Sequence, residues 1–239
     1  MSFHTLDLDI TFDLMSGVVA LLVSYYAFRY TKLLERSPLK FISLGFIMLG
    51  IGLLVEAFVF SLVVFGVGDL TTVRIYALGT TALYDILQAG AFLLFAVGYL
   101  RSAFASPRSK IESAGAAALG LIILPAVNSP GFQRLRDLFH LVRTISAVSE
   151  LLSVIFLAVV VFVGLLGYSE TRHRFSLLVM MSFVLILAAQ IFQLWTALSA
   201  SVQLDIVSST VQFAGFLSLL IFLVWRNKIG PARKASQQN

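Results

Sequence analysis

The chain has 239 residues, 59% of them hydrophobic and 12% charged, with a mean hydropathy of +0.96 and a net charge of +5. Soluble domains carry roughly 25% charged residues, so a soluble globule is excluded, and the even spread of apolar residues leaves no room for a second, soluble domain. The expectation is one all-α, multi-pass domain of the cell membrane over residues 1–239, without disulfides or thiolate chemistry because there is no cysteine.

About 20 apolar residues are needed to cross about 30 Å of hydrocarbon. Such windows fall at 11–29, 39–63, 76–100, 113–128, 144–167, 175–199 and 203–225, which predicts seven transmembrane helices. Met1 to Leu14 carries His4, Asp7, Asp9 and Asp13 and no Lys or Arg, the opposite of a basic signal-peptide opening, so the first helix is expected to be retained. The fourth window is the shortest, rich in Ala and Gly, and runs into Pro125, Asn128 and Pro130. Without it six spans remain and every later orientation flips. Ser129-Pro130 reads as a cap and first turn. Residues 131–143 then form an amphipathic helix, with Phe132, Leu135, Leu138, Phe139 and Val142 opposite Arg134, Arg136, Asp137, His140 and Arg143. That helix either lies along the outer interface or extends the fifth span. Gly230-Pro231 is predicted to end the last helix before a short polar tail.

Lys and Arg accumulate on the cytoplasmic side of membrane proteins. Seven spans with the N-terminus outside and the C-terminus inside put Arg29, Lys32, Arg36, Lys40, Arg101, Arg108, Lys110, Arg172, Arg174, Arg226, Lys228, Arg233 and Lys234 inside, 13 of 17 basic residues. Six spans would split these clusters between the two sides. The basic inner face is expected to meet anionic lipid headgroups and to dock a protein partner or a second copy. Nucleic acid is not expected, because the outer Arg134, Arg136 and Arg143 are too few to line a phosphate path.

The two halves of the chain also match. A separation of 137 pairs Asp13-Leu14-Met15-Ser16 with Glu150-Leu151-Leu152-Ser153, Phe46 with Phe183, Glu56 with Gln193 and Phe58 with Trp195, and a separation of 124 pairs Gln88 with Gln212 and Phe92 with Phe216. The expectation is two parallel three-helix repeats, 11–100 and 144–226, joined by the linker helix 113–128. This three-plus-one-plus-three plan resembles SWEET-type sugar transporters and, more distantly, microbial rhodopsins, which would imply a transporter or a ligand-holding bundle. Against the first, Pro125 is the sole proline inside a span and there is no Pro-Gln pair; against retinal, every lysine lies at a predicted cytoplasmic end or tail. Tyr30 to Phe60, a basic loop running into a Gly- and Phe-rich helix, is similar in texture to the membrane-input regions of prokaryotic sensors.

An ionisable group in a span costs about 2.5–3.5 kcal/mol even on the lenient insertion scale, so each needs a partner or a wet cavity. Glu56, Asp85 and Glu150 are such groups, with Asp85 and Gln88 near mid-membrane and Glu56, Glu150, Gln190, Gln193 and Gln212 in the outer half. All seven are expected around one outward-opening site for a proton, cation or small polar ligand, or else in a hydrogen-bond network that fixes packing. The three histidines share no span, and there is no Gly-x-Ser-x-Gly, His-Glu-x-x-His or Walker loop, so neither enzyme chemistry, a cofactor nor a metal is expected. Two functions follow. One is a non-catalytic receptor-like sensor or membrane subunit; the other is a small-solute or proton-coupled transporter.

Overall fold

A computed structural model describes residues 3–34, 38–65, 70–103, 135–171, 174–199 and 202–235. They form six helices: α1 (Phe3–Leu34), α2 (Pro38–Val64), α3 (Leu70–Ala103), α4 (Leu135–Thr171), α5 (Arg174–Ser199) and α6 (Val202–Ala235). Each holds a stretch long and apolar enough to cross a bilayer: Ile10–Tyr30, Leu39–Leu62, Gly79–Arg101, Thr144–Leu166, Leu177–Thr196 and Leu204–Trp225. The predicted fourth window, 113–128, lies outside the described residues.

The helices form a closed ring in which α1 packs on α2, α2 on α3, α3 on α4, α4 on α5, α5 on α6 and α6 back on α1. Apolar residues cover both the inside and the outside of this ring. Along α1, Ser16, Ala20, Val23, Ser24 and Ala27 are buried while Val18, Leu22 and Tyr25 point outward. In water such a surface would associate, whereas in hydrocarbon it is solvated by lipid tails.

In its half toward Leu39, Arg101, Leu177 and Trp225 the ring is filled by phenylalanines. Phe46 of α2, Phe92 and Phe95 of α3, Phe183 of α5 and Phe216 of α6 are fully buried. The Phe46 ring sits 4.7 Å from that of Phe95 and 5.7 Å from that of Phe216, and Phe95 is 5.8 Å from Phe183, all favourable tilted or edge-on contacts.

Neighbouring helices run antiparallel except in two places. Tyr30 at the end of α1 donates to the Leu223 carbonyl near the end of α6, and Phe12 near the start of α1 meets Phe213, so these two helices run together. The other parallel pair is α3 and α4. Asp85, early in the α3 span, bonds Ser146, early in that of α4, whereas their far ends meet α5 at Phe183 and Met180, through Tyr99 of α3 and Gly164 of α4.

Two readings of the helix ends are resolved and one is corrected. Residues 135–143 belong to the same continuous helix as the fifth span, so of the two placements it is the extension that occurs. The first helix begins at Phe3, ahead of its apolar window. The last helix does not stop at Gly230-Pro231 but continues to Ala235. A proline deletes one backbone bond and crowds one carbonyl, and a long apolar helix already formed upstream can carry that local defect.

Candidate functional site

Every helix contributes a polar side chain to one cavity of about 210 Å³ at one end of the ring. Asp13 comes from α1, Glu56 from α2, Asp85 with Thr81 and Tyr84 from α3, Glu150 from α4, Gln193 with Thr196 from α5, and Asp205 with Ser209 and Gln212 from α6. Phe60 completes the wall. The alternation of helix direction explains the convergence. The lining residues lie early in the spans of α1, α3, α4 and α6 and late in those of α2 and α5, and so at one level.

Below the cavity the bundle stays polar for about one turn. Gln88 and Gln212 both donate from Nε2 to Tyr84 Oη, at 3.0 and 3.1 Å. Gln190 donates from Nε2 to Gln193 Oε1 at 2.9 Å. The phenylalanine layer follows. In α2, α3 and α5 the lining residue and the phenylalanine, Glu56 and Phe46, Asp85 and Phe95, Gln193 and Phe183, are each ten residues apart, which is about 15 Å along a helix.

The site is acidic and its burial is deep. Asp85 is 2% exposed and Glu150 7%. Asp85 accepts from Ser146, yet its Oδ2 has no partner, nor has Glu150 Oε2. Asp85 and Asp205 are the charged neighbours of Glu150. Among the described residues no three Asp, Glu or His converge closely enough to hold a metal ion.

Of the seven intramembrane residues singled out in the sequence, Glu56, Asp85, Glu150, Gln193 and Gln212 line the cavity, while Gln88 and Gln190 lie buried beneath it. Asp85 lies six residues, about 9 Å, into the apolar stretch of α3 that begins at Gly79. Asp13, Asp205, Tyr84, Thr81, Thr196 and Ser209 were not singled out as ligands. Asp13 had a signal, its match to Glu150 across the halves; Asp205, in the first turn of α6, has no such match.

The opposite end is basic. Arg29, Lys40 and Arg101 are exposed there, with Arg101 5.8 Å from the Phe41 ring centre. The backbone brings Lys32 and Arg174 to that end, together with Arg226, Lys228, Arg233 and Lys234. Arg36, Arg108, Lys110 and Arg172 lie outside the described residues. No protein family, curated protein or solved structure matches the chain.

Proposed function

We propose that this is a non-catalytic, seven-helix protein of the cell membrane, N-terminus outside and C-terminus inside, that holds a small polar ligand or ion in its acidic cavity. It acts as a receptor-like sensor or membrane subunit, and its basic inner end meets anionic headgroups and a cytoplasmic partner. The observation that carries the proposal is the meeting of five carboxylates from five helices in one cavity above a packed phenylalanine layer. Packing alone has no use for five acids at one level, and the layer below favours a dead-ended site over a pore.

Two features support seven spans. Helices α3 and α4 are parallel, so residues 104–134 have to return from one end of the bundle to the other. Those 31 residues are enough, since a crossing helix needs about 20. The positive-inside rule then assigns the acidic cavity to the outer face.

Transport is the second reading, and the pairing of the halves favours it. Across the α2–α3 contact, Gly45 lies against the Ala91 carbonyl and Gly52 against Tyr84; the separations of 137 and 124 carry these pairs to Ser182 with Gly215 and Ala189 with Ser208. Both contacts exist, as Gly215 against the Ser182 carbonyl and as Ser208 Oγ bonded to the Ala189 carbonyl at 2.9 Å. Parallel repeats related in this way are a device of carriers.

The native chain lacks cysteine, so single cysteines report cleanly. Ser209→Cys, in the cavity wall, should label from outside with a small impermeant thiol reagent, and Ala96→Cys, within the phenylalanine layer, should resist labelling from either side. Labelling of Ala96→Cys from inside would favour the transporter. Failure to label Ser209→Cys from outside would remove the outward cavity from both readings.

A further inference from the structure

Taking the cavity as a ligand site, we infer that its occupant is a small aliphatic ammonium compound, a cation that brings N–H donors, and not a metal ion. Among the described residues, four buried side-chain atoms have no hydrogen-bond partner: Asp85 Oδ2, Gln88 Oε1, Glu150 Oε2 and Gln190 Oε1. Two are amide carbonyl oxygens and two are carboxylate oxygens, so with the acids ionised all four are acceptors. They come from α3, α4 and α5 and gather in and just beneath the cavity. A buried acceptor left unsatisfied costs about 1–3 kcal/mol, and more when charged, so the site is arranged to receive donors.

The charge of the wall points the same way. The described lining residues include five carboxylates and no Lys, Arg or His. A cation entering there relieves the mutual repulsion of Asp85, Glu150 and Asp205, whereas an anion or a carboxylate-bearing solute adds to it. A bare metal ion fits poorly, since no three of the described acids come together as ligands. The carboxylates are instead spread around about 210 Å³, a volume worth about seven waters in the liquid. That is room for an ammonium group with a short carbon chain. Phe60 and Tyr84 supply the apolar surface that such a chain needs and ring faces that attract ammonium.

The full-length protein in lipid nanodiscs provides the test, with unfolding followed by the fluorescence of Trp195 and Trp225. Butylamine and 1,4-diaminobutane should raise the unfolding temperature in a saturable way at fixed ionic strength. Tetramethylammonium, which has charge but no N–H, together with butanol, Na⁺ and Mg²⁺, should not. Asp85→Asn and Glu150→Gln, which keep shape, should each weaken the amine effect about tenfold or more, while the outward-facing Thr210→Ala should leave it intact. Equal stabilisation by tetramethylammonium would overturn the donor requirement. Saturable binding of Mg²⁺ but not of the amines would overturn the ligand class and leave the cavity as a binding site. If no probe has any effect while Ser209→Cys still labels from outside, the ammonium proposal falls and the outward cavity stands. Loss of that labelling as well removes the site itself.

Discussion

The hydroxyl of Tyr84 takes two amide donors from two helices, Gln88 one turn along its own helix and Gln212 across the ring on α6. Interhelical hydrogen bonds in membranes average only about 0.6 kcal/mol when measured pairwise. Removing the shared acceptor is different, since it strands two donors at once at about 1–3 kcal/mol. Tyr84→Phe should therefore lower unfolding stability by that amount, and the loss should shrink when Gln88→Leu and Gln212→Leu are already present. Strictly additive losses in that cycle would show that the three side chains are not coupled. The seven intramembrane residues were legible because a charge or amide inside an apolar run is expensive and stands out, and five of them line the cavity. Tyr84 was not, for a tyrosine among so many aromatic residues carries no such mark, and its role depends on a partner 128 positions away. Asp13 and Asp205 were hidden for another reason. Near the ends of apolar windows an acid looks solvated, and only the packing of the helices into a ring brings it over the cavity.

At the scale of helices, glycine stands against a carbonyl in the α1–α2, α2–α3 and α5–α6 contacts, the last two through Gly45 and Gly215. A methyl added to Gly45 would lie 2.9 Å from the Ala91 oxygen, and one added to Gly215 would lie 3.2 Å from the Ser182 oxygen and 2.7 Å from Ile186 Cγ1. Backbone cannot step aside as a flexible side chain does. Gly45→Ala and Gly215→Ala should each cost about 1–3 kcal/mol in thermal or denaturant unfolding, while Gly79→Ala, with nothing within 4 Å, should be neutral or slightly stabilising because alanine is the better helix former. Gly45 is matched to Ser182 and Gly215 to Ala91, so the two glycines stand on opposite sides of equivalent contacts; similar losses agree with equivalent contacts in two repeats, and a loss at one and none at the other would count against that equivalence. The six helices that the structure describes were visible as apolar windows, since the bilayer demands length and hydropathy of the sequence itself. Their ends were less visible. The bilayer imposes nothing beyond the hydrocarbon, so α1 starts early and α6 runs through Pro231, neither of which hydropathy reports.

Over the whole molecule, the charges of the described side chains divide along the bundle axis. Asp13, Glu56, Asp85, Glu150 and Asp205 gather at one end, and Arg29, Lys40 and Arg101 stand at the other. Helices α1 and α6 are parallel neighbours, as are α3 and α4; the proposed seventh crossing would fall between α3 and α4, and seven crossings would put the two chain termini on opposite sides. The acidic cavity faces outward only if that count and the charge rule both hold. Single cysteines at Ser2 and Ser236 test them together, in intact cells and with an impermeant reagent. The account predicts that Ser2→Cys labels at once and Ser236→Cys only after permeabilisation; labelling of both from one side would mean an even number of crossings, and the reverse pattern would turn the acidic cavity to the cytoplasm.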